Sequence, residues 1–272
     1  MRLAMPRFEI PRPDIVAAVV LRDWQETLRN RLLLATILIP PVVLTIVPLI
    51  VGGVTTGLPL PAAVARQAIA LRPEWASLSP GELTAALVIQ QFLVFFLMMP
   101  AYIPLSIASY SIIGEKTSHS LEAVLATPIR TIELLAGKAI SALLPGVLVG
   151  WLTYLALIAL TAMLYSPGLV RVVTDDSWLA GVFLLGPAVG LASVVAGVIV
   201  SARVSDPRTA QQIGGIIIVP LVGVAVIQAS ATVLFRGPSY ALGALIVLIL
   251  SLMGLALGAR LFGRETILTR WR

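Results

Sequence analysis

The sequence predicts an all-α polytopic membrane protein: six transmembrane helices preceded by an N-terminal interfacial helix. Composition is the first reason. The 272 residues are 58% hydrophobic and 12% charged, with a mean hydropathy of +1.00, whereas a soluble domain carries about twice that charged fraction. The second reason is run length. Several stretches are apolar over about 20 residues, the helical length that crosses a hydrocarbon core of roughly 30 Å. They are continuously apolar, without the period-two alternation of a membrane strand. The chain has no Cys and a single His, which excludes a disulfide framework, a thiolate metal site and a histidine-rich metal site.

Residues 1–31 hold six arginines and no long apolar core, so they are not a signal peptide. From Pro13 to Asn30 a helix is expected, with Pro13 and Asp14 suited to its first turn. Val16, Val20, Trp24 and Leu28 recur at i+4, opposite Arg22, Asp23, Gln25, Glu26 and Arg29. This pattern describes a helix lying in the membrane interface with Trp24 at headgroup depth. Its alternative is a helix packed on its own protein with its polar side in water.

The membrane-spanning body covers residues 32–262, and a tail of 263–272 follows. Span one (32–51) contains Pro40, Pro41 and Pro48, which remove backbone donors and should kink or break it. A polar interval follows, whose middle (61–71) suits a second interfacial helix. Span two (83–113) is bent by Pro100 and Pro104 and is the most polar, with Gln90, Gln91 and Tyr102. Span three (139–164) carries Gly146 and Gly150, and span four (178–202) carries Gly186 and Gly190. Both are small-xxx-small pairs suited to close packing within one chain. Span five (209–235) holds Gln211, Gln212 and Gln228 among several glycines, and span six covers 239–259.

Six spans put both termini on one side, together with the loops after spans two and four. Of the 19 Lys and Arg residues, only Arg66, Arg72, Arg171 and Arg236 fall on the other side. The positive-inside rule then places the termini in the cytoplasm. The bases flank spans instead of forming one basic face, so the charge needs no nucleic acid.

None of the spans so bounded contains Asp, Glu, Lys, Arg or His. Ion-coupled transporters usually need an ionisable group at membrane depth, although backbone carbonyls can bind Na⁺ without one. No carboxylate pair or nucleophile constellation sits within the spans, and there is no phosphate-binding GxxxxGK[ST] loop. What remains is a membrane pathway without its own energy source.

The interval 114–138, GEKTSHSLEAVLATPIRTIELLAGK, is where a soluble partner could act. Leu121, Val124 and Leu125 fall on one helix face, and Ser120 can cap that helix with Glu122 in its first turn. Thr127-Pro128 ends it, and a second helix is expected to begin near Thr131.

Glu115-Lys116, Leu121-Glu122, Leu125, Thr127-Pro128, Glu133-Leu134-Leu135 and Gly137-Lys138 resemble the signature of ABC-2 type permeases, the membrane subunits of one class of ABC transporter. Leu261-Phe262, Arg264-Glu265 and Leu268 are similar to that family's C-terminal ending, while Thr117 and His119-Ser120 depart from its usual Glu and Gly-Thr. The resemblance implies a cytoplasmic coupling helix in 114–138, a second, identical or closely related permease subunit (a homodimer is the expectation), and two ATP-binding subunits. ATP and Mg would then belong to the partner and no cofactor to this chain. It also implies alternating access, here expected to export a hydrophobic or amphiphilic substrate from a prokaryotic cell. Leu121, Val124 and Leu125 are the expected contact face, with Glu115, Lys116, Glu122 and Arg130 as its rim or as partners of the N-terminal helix. Gln90, Gln91, Tyr102, Gln211, Gln212 and Gln228 are the candidates for the substrate path. Two alternatives stay open: a membrane scaffold that recruits a cytoplasmic partner, and an intramembrane enzyme.

Overall fold

The computed structural model describes residues 12–58, 60–117, 129–201, 204, 206–229 and 235–261. In chain order its helices are α1 (Pro13–Arg29), α2 (Arg31–Thr55), α3 (Ala62–Leu71), α4 (Pro80–Thr117), α5 (Thr131–Leu164), α6 (Pro167–Val173) and α7 (Asp176–Ala180). They continue with α8 (Gly186–Ser201), α9 (Pro207–Gly214), α10 (Ile218–Ala229) and α11 (Gly237–Leu261). A 3₁₀ turn (Pro73–Ser77) precedes α4, a π-helical turn (Gly181–Leu185) joins α7 to α8, and a second 3₁₀ turn (Gly215–Ile217) separates α9 from α10.

The centre of the molecule is α4. Its 38 residues span about 57 Å at 1.5 Å per residue, well beyond a hydrocarbon core, and it packs against α2, α5, α8 and α10. Ser79 starts it: the Ser79 amide donates to Glu82 Oε2 at 2.8 Å while the Glu82 amide donates back to Ser79 Oγ at 3.4 Å. This reciprocal cap satisfies two donors that a helix start leaves free. Ala85, Ala86, Leu93, Ile103 and Ile107 of α4 are fully enclosed. By contrast α2 and α11 leave most of their apolar side chains exposed, as lipid-facing helices do.

The prolines of span two mark two close helix crossings. A side chain at Gly146 of α5 would place its Cβ 2.6 Å from Pro104 Cγ, and one at Gly190 of α8 would reach 3.0 Å from the Pro100 carbonyl oxygen. That carbonyl is the one Pro104 deprives of its helical donor. The small-xxx-small pairs of spans three and four therefore pack within the chain, against α4.

Five helical stretches are long and apolar enough to cross a membrane among the described residues: Arg31–Thr55, Pro80–Glu115, Ile132–Leu164, Pro167–Ser201 and Gly237–Leu255. The fifth expected span is not one continuous helix. Residues 207–229 form α9 of eight residues, a three-residue 3₁₀ turn and α10 of twelve. Two adjacent glycines and Pro220, which leaves the Ile216 carbonyl without its i+4 donor, account for the break. Pro40, Pro41 and Pro48 do not break α2, which runs unbroken through all three. Helices α4 and α5 also extend past the expected span ends, which makes Glu115 and Lys138 helical.

Candidate functional site

Helix α1 lies along the first turns of α5, close to the end of α4. Three layers hold it there. At its start, Arg12 donates through Nε to Glu133 Oε1 at 2.9 Å and through Nη2 to Oε2 at 3.1 Å, with its backbone amide on Oε1 at 3.1 Å. This forked pairing fixes orientation as well as distance. Next, Ile15 and Val19 pack with Ile129 and Leu134. A Cβ on Gly137 would lie 2.7 Å from Val19 Cβ, so the bare backbone there is the notch that receives α1.

The third layer is ionic and buried. Asp23, Glu115 and Lys138 are 2%, 3% and 3% exposed. Lys138 Nζ stands 3.0 Å from Glu115 Oε2 and 3.6 Å from Asp23 Oδ1, and donates to Ser111 Oγ at 2.6 Å. The hydroxyls of Ser111 and Ser141 donate to Asp23 Oδ2 at 3.1 and 2.9 Å. Arg22 Nη2 reaches Glu115 Oε1 at 3.1 Å, and the Trp24 indole donates to the Ser141 carbonyl at 3.0 Å. Two carboxylates and two cations from three helices thus balance one another. The cluster brackets the interval 118–128, since Glu115 precedes it by three residues and α5 begins at Thr131.

The structure changes the face assigned to α1. Val16, Val20 and Trp24 are partly buried against the protein, whereas Leu28, a turn further along, is 66% exposed. Asp23, placed by periodicity on the outer polar side, is instead the most deeply buried residue of the helix. Hydrophobic spacing could not reveal this, because the counter-charge, Lys138, lies 115 positions away in the chain. Sequence analysis also missed Ser111, Ser141 and Gly137 as its partners.

Of the expected rim, Glu115 pairs with the N-terminal helix, and the Arg130 amide donates to Glu133 Oε2 at 2.9 Å. Leu121, Glu122, Val124 and Leu125 lie outside the described residues, as do the side chains of Lys116 and Gln228. Among the path candidates, Gln90 is fully enclosed and accepts from the Trp178 indole at 3.1 Å. Gln91 donates to the Leu87 carbonyl at 3.2 Å of its own helix. Tyr102 and Gln211 are half-buried and Gln212 is exposed. No group of three or more His, Cys, Asp or Glu able to hold a metal occurs among the described residues.

An all-helical chain with several membrane-length apolar helices is an integral membrane protein. The chain belongs to the ABC-2 family of transporter proteins, whose family model matches residues 77–253. It is thus a membrane component of an ABC transporter, a class that works with a separate ATP-binding chain. No curated protein matches the sequence.

Proposed function

We propose that the chain is the permease subunit of an ATP-driven exporter and that the interval 114–138 is where a cytoplasmic ATP-binding subunit grips it. The observation that carries this reading is the buried cluster of Asp23, Glu115 and Lys138. It ties α1 to the two helices that enter and leave the interval, so a push on the interval displaces α1, α4 and α5 together. Breaking such a cluster costs about 3–5 kcal/mol per orphaned partner, enough to keep the unit intact while it moves. In this arrangement α9 and α10 together make the fifth of six crossings, both termini are cytoplasmic, and two copies of the chain pair with two ATP-binding subunits. ATP and Mg act in those subunits. Apolar, lipid-facing spans favour a hydrophobic or amphiphilic substrate carried by alternating access.

The test is to purify the chain with its co-purifying ATP-binding subunit and to replace Leu121 and Leu125 together with Asp. Loss of co-purification and of stimulated ATP hydrolysis is expected. Unchanged assembly and hydrolysis would overturn the proposal.

A further inference from the structure

At the end of the molecule opposite α1, one arginine joins three connections far apart in sequence. Arg72 closes α3 and is 0% exposed. Its Nη1 pairs with Asp175 Oδ2 at 2.6 Å, with Asp176 and Glu74 at 3.7 and 3.6 Å. Its Nη2 donates to the Ser177 hydroxyl and, at 2.8 Å, to the Phe235 carbonyl. Ser177 Oγ in turn donates to that same carbonyl at 3.1 Å. The guanidinium stands 5.6 Å from the centre of the buried Trp75 ring.

Each partner is itself anchored. Asp175 caps α7 by accepting from the Trp178 amide at 3.0 Å, Asp176 accepts from the Gly237 amide at 3.1 Å, and Arg236 pairs with Glu74 at 3.1 Å on the surface. Trp178, fully enclosed, carries the connection to Gln90 in the first third of α4.

We infer that Arg72 is a pin that makes one rigid cap of the connection before α4, the start of α7 and the start of α11. The physical ground is the fork. A planar guanidinium meets acceptors on two segments at once from a buried position, whereas the exposed Glu74–Arg236 pair contributes little by itself. Separating the three segments would strand a buried cation, so they move together or not at all. If the transport reading holds, opening toward this side runs beside the cap and not through it; the rigidity of the cap is tested without that reading.

The experiment is hydrogen exchange by mass spectrometry on the full chain in detergent micelles. Arg72→Lys keeps the charge and loses the fork. Exchange should quicken on the order of tenfold or more in residues 173–178 and 235–240 as well as in 72–77, while Glu74→Gln leaves all three unchanged. Quickening confined to 72–77 would overturn the inference. Because R72K could fail to fold, a second arm keeps Arg72. The chain has no cysteine, so Glu74→Cys with Arg236→Cys can be bridged by a bifunctional thiol reagent. Bridging should leave exchange in all three segments as it was, since they are already one body. Slower exchange on bridging would show that they move relative to one another and would refute the pin.

Discussion

Replacing Lys138 with Met is the sharpest probe of the buried cluster. The change keeps an unbranched side chain one heavy atom shorter and removes an ammonium standing 3.0 Å from Glu115 and 3.6 Å from Asp23. Glu115 retains Arg22 at 3.1 Å; Asp23 retains only the hydroxyls of Ser111 and Ser141. Removing one partner of a buried ion pair costs about 3–5 kcal/mol. At about 2–4 °C per kcal/mol for a chain of this size, the thermal midpoint should fall by roughly 6–20 °C. The assay is thermal unfolding in detergent followed by size-exclusion chromatography. Adding Asp23→Asn to K138M removes the stranded charge and keeps acceptors for both serines, so the double variant should recover much of the loss. A midpoint for K138M within about 2 °C of the parent, or a double variant no more stable than K138M, would refute the cluster as the clamp on α1.

Two further outcomes are expected. Gly137→Ala puts a Cβ 2.7 Å from Val19 Cβ and should cost about 1–3 kcal/mol by overpacking, with Val19→Ala in the same chain restoring most of it; thermal midpoints of the two variants check this. Asp206 caps α9, accepting from the Thr209 amide and hydroxyl, each at 2.9 Å, and the amide bond foremost holds its carboxyl below the ordinary range. A lowered folded-state value means that the cap contributes above the unfolded value and is lost as pH falls through the folded one, so acid titration should raise hydrogen exchange in 207–214 in the parent but not in Asp206→Ala.

Much of the backbone was legible in the sequence because it follows from local rules. Pro13 and Asp14 opened α1, the interval 61–71 became α3, and the helix expected near Thr131 starts there. The small-residue pairs of spans three and four also packed within the chain, though nothing local indicated that they would meet the prolines of α4. Two kinds of feature escaped. The inward turn of Asp23 depends on a cation in another helix, and spacing within α1 carries no trace of it. Arg72 read as a topology marker in a polar interval, because its hydrogen-bond partners lie 103 to 163 residues away. Buried charge is set by what the tertiary fold brings near, and one chain's periodicity holds only half of each pair. The break at Gly214–Gly215 is local in origin, since the adjacent glycines and Pro220 weaken the helix there within a stretch otherwise apolar enough for a span.

Pro100 and Pro104 give α4 a property beyond close packing. Each removes one rung of the helical ladder, so the carbonyls of Phe96 and Pro100 have no i+4 amide to bond. A change of curvature at this level therefore has two fewer hydrogen bonds to strain than the same flexion elsewhere along the 38 residues. One end of this long rod is fastened through Glu115 to Lys138, and Glu82 near the other is fastened to Ser166. With both extremities held, the two missing rungs lie between them, where Gly146 of α5 and Gly190 of α8 approach α4 closely. The rod is held near both ends and least hydrogen-bonded at its waist, which is where a bend would cost least.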